Sequence, residues 1–262
     1  MSIGEKLKTI ADNCSKIYIT AFNVGKKEGR EKGYQEGYLE GSYEGHAAGM
    51  DTGYKTGLEQ EYDRFWNVYQ DSGNRTNYSN AFCGIGWTDE SFRPKYDLIA
   101  DNVSQMFREA KVTDLKKALS DWGVSLDTGS ATHFTQFVQL SSVTVVPVLD
   151  MRSATNTTQA FGYAPVTQIE KLIVSEQTPW SNTFISCGKL TEIRFEGQIG
   201  TDGLSFAHSK QLSYDSLMSI LGCLKDYSKA GVTRTVTLGA DNLAKLTDEE
   251  KAMATEKGWT LV

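Results

Sequence analysis

Small and apolar residues open the chain at alternating steps of four and three: Ile3, Leu7, Ile10, Cys14, Ile17, Ala21 and Val24. This 3.5-residue period predicts the seam of a left-handed coiled coil, and Ser2 with Glu5 forms a capping box that would start the helix. The pattern resumes at Leu58, Tyr62, Phe65 and Tyr69. Between the two stretches glycine recurs at every fourth position: Gly25, Gly29, Gly33, Gly37, Gly41, Gly45, Gly49, Gly53 and Gly57. Each glycine inside a helix costs about 1 kcal/mol relative to alanine, so this row costs on the order of 9 kcal/mol. That equals the whole stability of many domains, so a helix here needs close packing to offset the loss. Four residues advance a helix by about 400°, and the row drifts about 40° per step rather than forming one straight face. Three arrangements follow. The helix packs on copies of itself with a right-handed wrap, or the glycines loosen a solvated linker, or the row packs on another protein. The flanking heptads favour self-association, and all these positions together read as a homo-oligomerisation stalk, with three strands expected.

A second pattern organises the later part of the chain. Phe134 is followed by Leu140, Val143 and Val145 at +6, +9 and +11, and Phe184 by Leu190, Ile193 and Phe195 at the same offsets. Phe206 has Leu212 at +6, while Phe107 and Phe161 show a shorter form, Val112 with Leu115 and Val166 with Ile169, at +5 and +8. The spacings between these Phe residues are 27, 27, 23 and 22. Units of that length, each with one short strand and one turn, cannot bury an apolar face alone and read as a leucine-rich-repeat solenoid. Strands are expected near Val143–Val145, Ile169–Val174 and Ile193–Phe195, with Phe134, Phe161 and Phe184 inward at equivalent positions.

The stretch Phe184-x-x-Cys187-x-x-Leu190-x-x-Ile193-x-Phe195 resembles the BspA-like leucine-rich repeat of bacterial surface and phage-encoded proteins. The segment from Glu61-Tyr-Asp-Arg-Phe-Trp66 through Trp87-Thr-Asp-Glu-Ser-Phe-Arg-Pro-Lys-Tyr96 is similar to what precedes such repeats in proteins of phages and prophages of gut Firmicutes. The glycine row resembles the GX3 repeats of some eukaryotic adaptors and flagellar export regulators, which nothing else in the chain follows. The resemblance implies a non-enzymatic adhesion or receptor-binding component of a phage or prophage tail, oligomerised by its stalk. It would be made in the bacterial cytoplasm without a signal peptide and located in the virion. Its implied partners are copies of itself, other tail proteins, and a bacterial surface protein or glycan. The alternative is a bacterial leucine-rich-repeat scaffold for protein–protein interaction.

The remaining elements close the chain. Ser213 caps a helix carrying Leu217, Ile220, Leu221 and Leu224. Arg234–Leu238 alternates as a strand that Gly239 ends, Thr247 and Glu250 form a capping box, and Trp259–Val262 reads as an edge strand. The expected fold class is therefore α+β: a long N-terminal helix, coiled coil with glycine every fourth residue, then a short leucine-rich-repeat solenoid with an α/β C-terminal cap. The boundaries are 1–70 for the stalk, 71–104 for a connector, 105–212 for the repeats and 213–262 for the cap.

Composition narrows the function classes. A net charge of −6 without a basic stripe argues against nucleic acid, and no run of 18 apolar residues occurs, so no membrane insertion is expected. Cys14, Cys83, Cys187 and Cys223 lie far apart with no metal-site spacing and read as buried thiols. His46, His133 and His208 stand singly, and the Gly84-Ile85-Gly86-Trp87 turn lacks the strand and helix of a phosphate loop. Asp89, Glu90, Glu249 and Glu250 are scattered carboxylates without a glycosidase-type pocket. No enzyme, cofactor or metal is expected, and ligand-binding residues are left open. Three aromatics, Trp87, Tyr163 and Trp180, fall on expected turns, where loops make contacts to sugars or proteins.

Overall fold

A computed structural model of the chain describes residues 77–83, 94 and 96–262, all within one compact unit. The stalk positions from Ile3 to Tyr69, the glycine row, His46, Trp87, Asp89 and Glu90 lie outside the described residues.

Successive segments of the chain lie side by side in parallel, each donating backbone N–H groups to the next. Phe82 N–H donates to Met106 O, Phe107 to Phe137 O, Val138 to Ala160 O and Phe161 to Thr183 O, all at 2.8–3.0 Å. These bonds align Phe82, Phe107, Val138, Phe161 and Phe184 in one column, and every member is buried. Rings stack along it, Phe82 on Phe107 at 5.1 Å and Phe161 on Phe184 at 5.3 Å, and Phe206 continues the stack at 4.7 Å from Phe184. A second column holds Leu115, Val146, Ile169 and Ile193, joined through the Asp114–Val145 bridge and the strand registers. Together the two columns form an elongated apolar core whose ends need separate cover.

The strands are short. β1 (Leu98–Ile99) pairs with β2 (Leu126–Asp127) in a two-stranded sheet. β5 (Gln168–Val174) is central to a second sheet, flanked on one side by β3 (Val145–Val146) and β4 (Leu149–Asp150) and on the other by β6 (Glu192–Gly197). β7 (Arg234–Val236) pairs with β8 (Trp259–Leu261) in a third. All pairings are parallel. The helices are α1 (Leu115–Trp122), α2 (Tyr214–Cys223), α3 (Ala240–Leu243) and α4 (Asp248–Glu256).

The expected fold class is corrected on two counts. Among the described residues there are four short helices and three small parallel sheets, with neither a long helix nor a leucine-rich-repeat solenoid. The physical reason lies in unequal segments: the step between aligned residues is 31 across α1 but 23 or 24 in the following turns. Strands of two to seven residues then pair only locally. A bulge between Ile169 and Leu172, opposite β6, breaks the ladder again.

Expected strands form at Ile169–Val174 and Ile193–Phe195, the one expected near Val143–Val145 is displaced to the two-residue β3 at Val145–Val146, and Phe134, Phe161 and Phe184 are all buried. Phe134, however, is not equivalent to the other two. Its N–H donates to Asn156 O, which aligns it with Thr157, and Val138 takes the column position. The shorter spacing is the regular one: Val138 has Val143 at +5 and Val146 at +8, as Phe107 and Phe161 have theirs. Leu140, expected inside, is therefore exposed.

The outer edge of β6 is closed by a helix. α2 carries serine at three-residue steps on one face. Ser213 caps it, Ser216 Oγ accepts from Ile193 N–H at 2.9 Å, and Ser219 Oγ accepts from Phe195 N–H at 2.8 Å. Side-chain hydroxyls thus replace the carbonyls of a further strand and satisfy an edge that would otherwise invite pairing with another chain. Close backbone approach forces Gly197 at φ 99°, since a Cβ there would lie 2.1 Å from Val174 O. The expected capping box is present on α4, from Thr247 to Glu250.

If the column register is right, Phe184→Ala costs about 3–5 kcal/mol by cavity formation, whereas Leu140→Ser changes stability by less than about 0.5 kcal/mol. Urea unfolding of both variants checks this; a large loss at Leu140 would contradict the register.

Candidate binding edge

One edge of the stack is built from turns that share a local sequence. Ser79-Asn80-Ala-Phe82, Ser104-Gln105-Met-Phe107, Thr135-Gln136-Phe-Val138, Thr158-Gln159-Ala-Phe161 and Ser181-Asn182-Thr-Phe184 occupy aligned positions. The first four of these turns are entered at a bridged column, Asn77, Asn102, His133 and Asn156. The three asparagines accept from the N–H two residues on, at 2.9–3.0 Å, the local bond by which Asn starts a turn. The amide residue that follows sits in the left-handed region, with φ between 52° and 60° at Asn80, Gln105, Gln136, Gln159 and Asn182. Four residues later a second left-handed residue completes the reversal: Glu109, Leu140, Tyr163 and Ser186, φ 56–60°.

The amides bond to one another across turns. Gln105 Nε2 donates to Gln136 Oε1 at 2.8 Å, and Gln136 Nε2 and Gln139 Nε2 both donate to Gln159 Oε1, at 3.4 and 2.7 Å. Gln139 is 5% exposed. Gln159 lies against Gly162, whose absent side chain also lets Ile185 close in: a Cβ there would be 2.9 Å from Ile185 Cγ2 and 3.3 Å from Gln159 Cβ. Beside this amide cluster Leu140 is 51% exposed and Tyr163 47%. Leu140 N–H donates to Gly162 O and Tyr163 N–H to Ile185 O, so the two side chains emerge one turn apart. Arg108 and Glu109 pair at 3.0 Å on the preceding turn.

Energetics single out this edge. A left-handed conformation costs a residue with a Cβ roughly 1–2 kcal/mol, and for bulky residues it is a true outlier. Glycine would remove that cost at Leu140 and Tyr163, yet neither side chain fills the core in return. Strain of this kind, held by the surroundings, collects at functional sites.

The three aromatics expected on turns separate. Tyr163 is exposed at this edge. Trp180 is buried between the rings of Phe184 and Phe195, at 6.3 and 5.9 Å, and Trp87 lies outside the described residues. The amide ladder escaped the sequence reading, although its signal is visible in the recurring Ser/Thr-Asn/Gln-x-Phe/Val turn sequence.

Other polar groups have structural partners. Across the outer face of the second sheet, Lys116 pairs with Glu170 and Lys171 with Glu196, exposed pairs worth at most about 1 kcal/mol. Burial pushes the Cys187 thiol up to about 12, and it donates to Phe161 O; Cys83 is also buried and Cys223 half-buried. His133 and His208 are exposed, and among the described residues no group of His, Cys, Asp or Glu is placed to hold a metal. Glu250 serves the α4 capping box and accepts from Tyr214. Among the described residues no helix is long and apolar enough to cross a membrane.

The chain matches no protein-family model, no curated protein and no solved structure.

Replacing Tyr163 by glycine relieves the left-handed strain, so the variant is expected to be more stable by about 1 kcal/mol, read from its denaturation midpoint. A loss of stability would show that the ring is a structural contact. The acid limb is set partly by Asp150. Burial opposes its ionisation, but hydrogen bonds from the Arg152 side chain and backbone, with the guanidinium charge, outweigh it and hold the carboxyl below its usual range. Such a group stabilises the fold above its unfolded pKa of about 3.9, and that contribution fades as pH falls through the lower folded value. Asp150→Asn should therefore lower the melting temperature at pH 7, with the gap to wild type closing below about pH 4. A gap independent of pH would count against the pairing.

Proposed function

We propose that the chain is a non-enzymatic adhesion or receptor-binding component of a phage or prophage tail, and that the turn edge is its contact surface. The exposed, strained Leu140 and Tyr163 beside the amide cluster carry this reading: the fold keeps them at a cost that folding alone does not require. The tail setting is proposed from the resemblance read in the sequence of residues 61–96. The heptad positions from Ile3 to Val24 support several copies acting together, and linked weak contacts reach an avidity far above that of one site. The virion is the location that follows from this reading.

Adsorption of the fluorescent full-length chain to a panel of gut Firmicutes cells tests it. Saturable binding to some strains, weakened at least about tenfold in the separately made 75–262 fragment if that fragment is folded by circular dichroism, is the expected result. Binding to no strain, together with capture of one specific soluble protein partner, would replace the adhesin by a scaffold.

A further inference from the structure

We infer that the ligand of the turn edge is a neutral glycan, lying along the Leu140–Tyr163 column with its hydroxyls on the Gln136–Gln139–Gln159 amides. This rests on the proposed binding role and adds the chemical class of what is bound.

Three features of the edge point to a sugar. The amides offer donors and acceptors at fixed spacing and no net charge, which suits vicinal hydroxyls better than ions. Their bonds to one another use only part of their capacity: Gln159 Nε2 and Gln139 Oε1 have no protein partner among the described residues, and Gln139 is nine-tenths buried. They are held in place yet not saturated. Next to them stand an exposed aromatic ring and an exposed aliphatic side chain. The C–H face of a pyranose lies on such surfaces while its hydroxyls reach the amides, as amphipathic ring contacts generally do.

Spacing agrees. Leu140 and Tyr163 are one turn apart in a parallel stack, about 4.8 Å, close to the advance of one sugar unit along a linear chain. Successive units can then meet successive turns, with Ser186 next in the row.

Peptide modes fit poorly. The backbone N–H groups of Glu109, Leu140 and Tyr163 are spent on Gln139 O, Gly162 O and Ile185 O, so the edge cannot add a strand. Two apolar side chains one turn apart are fewer than the i, i+3, i+4, i+7 anchors a docked helix uses. Charge at the edge is internally compensated, since Glu109 pairs with Arg108.

The test uses full-length protein in two formats. In the first, gut Firmicutes cells are left untreated, digested with protease, or oxidised with periodate, which cleaves vicinal diols. In the second, purified neutral cell-wall polysaccharide is cast into a native gel and retardation is measured. Expected are retention of cell binding after protease, its loss after periodate, and retardation by the polysaccharide. Tyr163→Gly should weaken both at least about tenfold, equal to 1.4 kcal/mol, with a melting temperature no lower than wild type. Tyr214→Ala, an exposed tyrosine elsewhere, should leave both unchanged. Cell binding lost to protease and spared by periodate overturns the glycan while leaving the adhesin intact. Retardation by polysaccharide without binding to any cell keeps the glycan site and overturns the tail adhesin. Failure in both formats, or binding that Tyr163→Gly does not weaken, overturns the inference.

Discussion

Backbone hydrogen bonds from each turn to the next impose the constraint that the other features satisfy. A segment in this arrangement cannot complete its own N–H and C=O bonding, so it must lie parallel to a neighbour and match its path. That requirement aligns side chains in columns and lets Phe82, Phe107, Phe161, Phe184 and Phe206 bury ring on ring. It also creates open edges. β6 is closed by α2, whose Ser216 and Ser219 hydroxyls accept the N–H groups a further strand would have taken. Unpaired, Ile193 N–H would be a buried donor costing about 1–3 kcal/mol.

The same constraint explains where variation is tolerated. Column positions are filled by large apolar side chains, with Phe82 stacked on Phe107 and Phe161, Phe184 and Phe206 stacked in turn, and Val138 between the two stacks. Turn positions must only supply a reversal and a backbone donor. Glycine meets that need at the lowest cost, yet the chain places Gln105, Gln136, Gln159, Leu140 and Tyr163 in left-handed conformations. Side chains kept at the turn edge against the local conformational preference are what link the fold to the proposed function. A local rule broken without a packing gain is where function is expected.

Much of the core was legible in the sequence, because aromatic and β-branched residues recur at the strand and column positions. Both long strands, the Ser213 cap and the Thr247–Glu250 capping box were readable for the same reason: each rests on local chemistry. The register of the turn around Phe134 was not. Phe134 and Phe137 are both buried there, and Leu140, Val143 and Val145 coincide with the offsets of the Phe184 unit, which drew the alignment four residues off. The inserted α1 lengthens one step, and only the cross-turn bonds reveal that Val138 stands in the aromatic column. The regular solenoid expected from the offsets fails for the same reason, since unequal steps break the sheet into three. The binding edge was half visible. Tyr163 drew notice as an aromatic on a turn, but glutamine carries no turn signal, and its left-handed conformation follows from the stack rather than from its own preference.

The central claim is the parallel register that puts Val138 in the aromatic column and Leu140 and Tyr163 outside, one turn apart. Scalar couplings across hydrogen bonds in isotope-labelled protein read it directly. The account predicts correlations from Val138 N–H to the Ala160 carbonyl and from Tyr163 N–H to the Ile185 carbonyl. A correlation from Phe134 N–H to the Ala160 carbonyl in place of the first would put Phe134 in the column and contradict the register on which the binding edge depends.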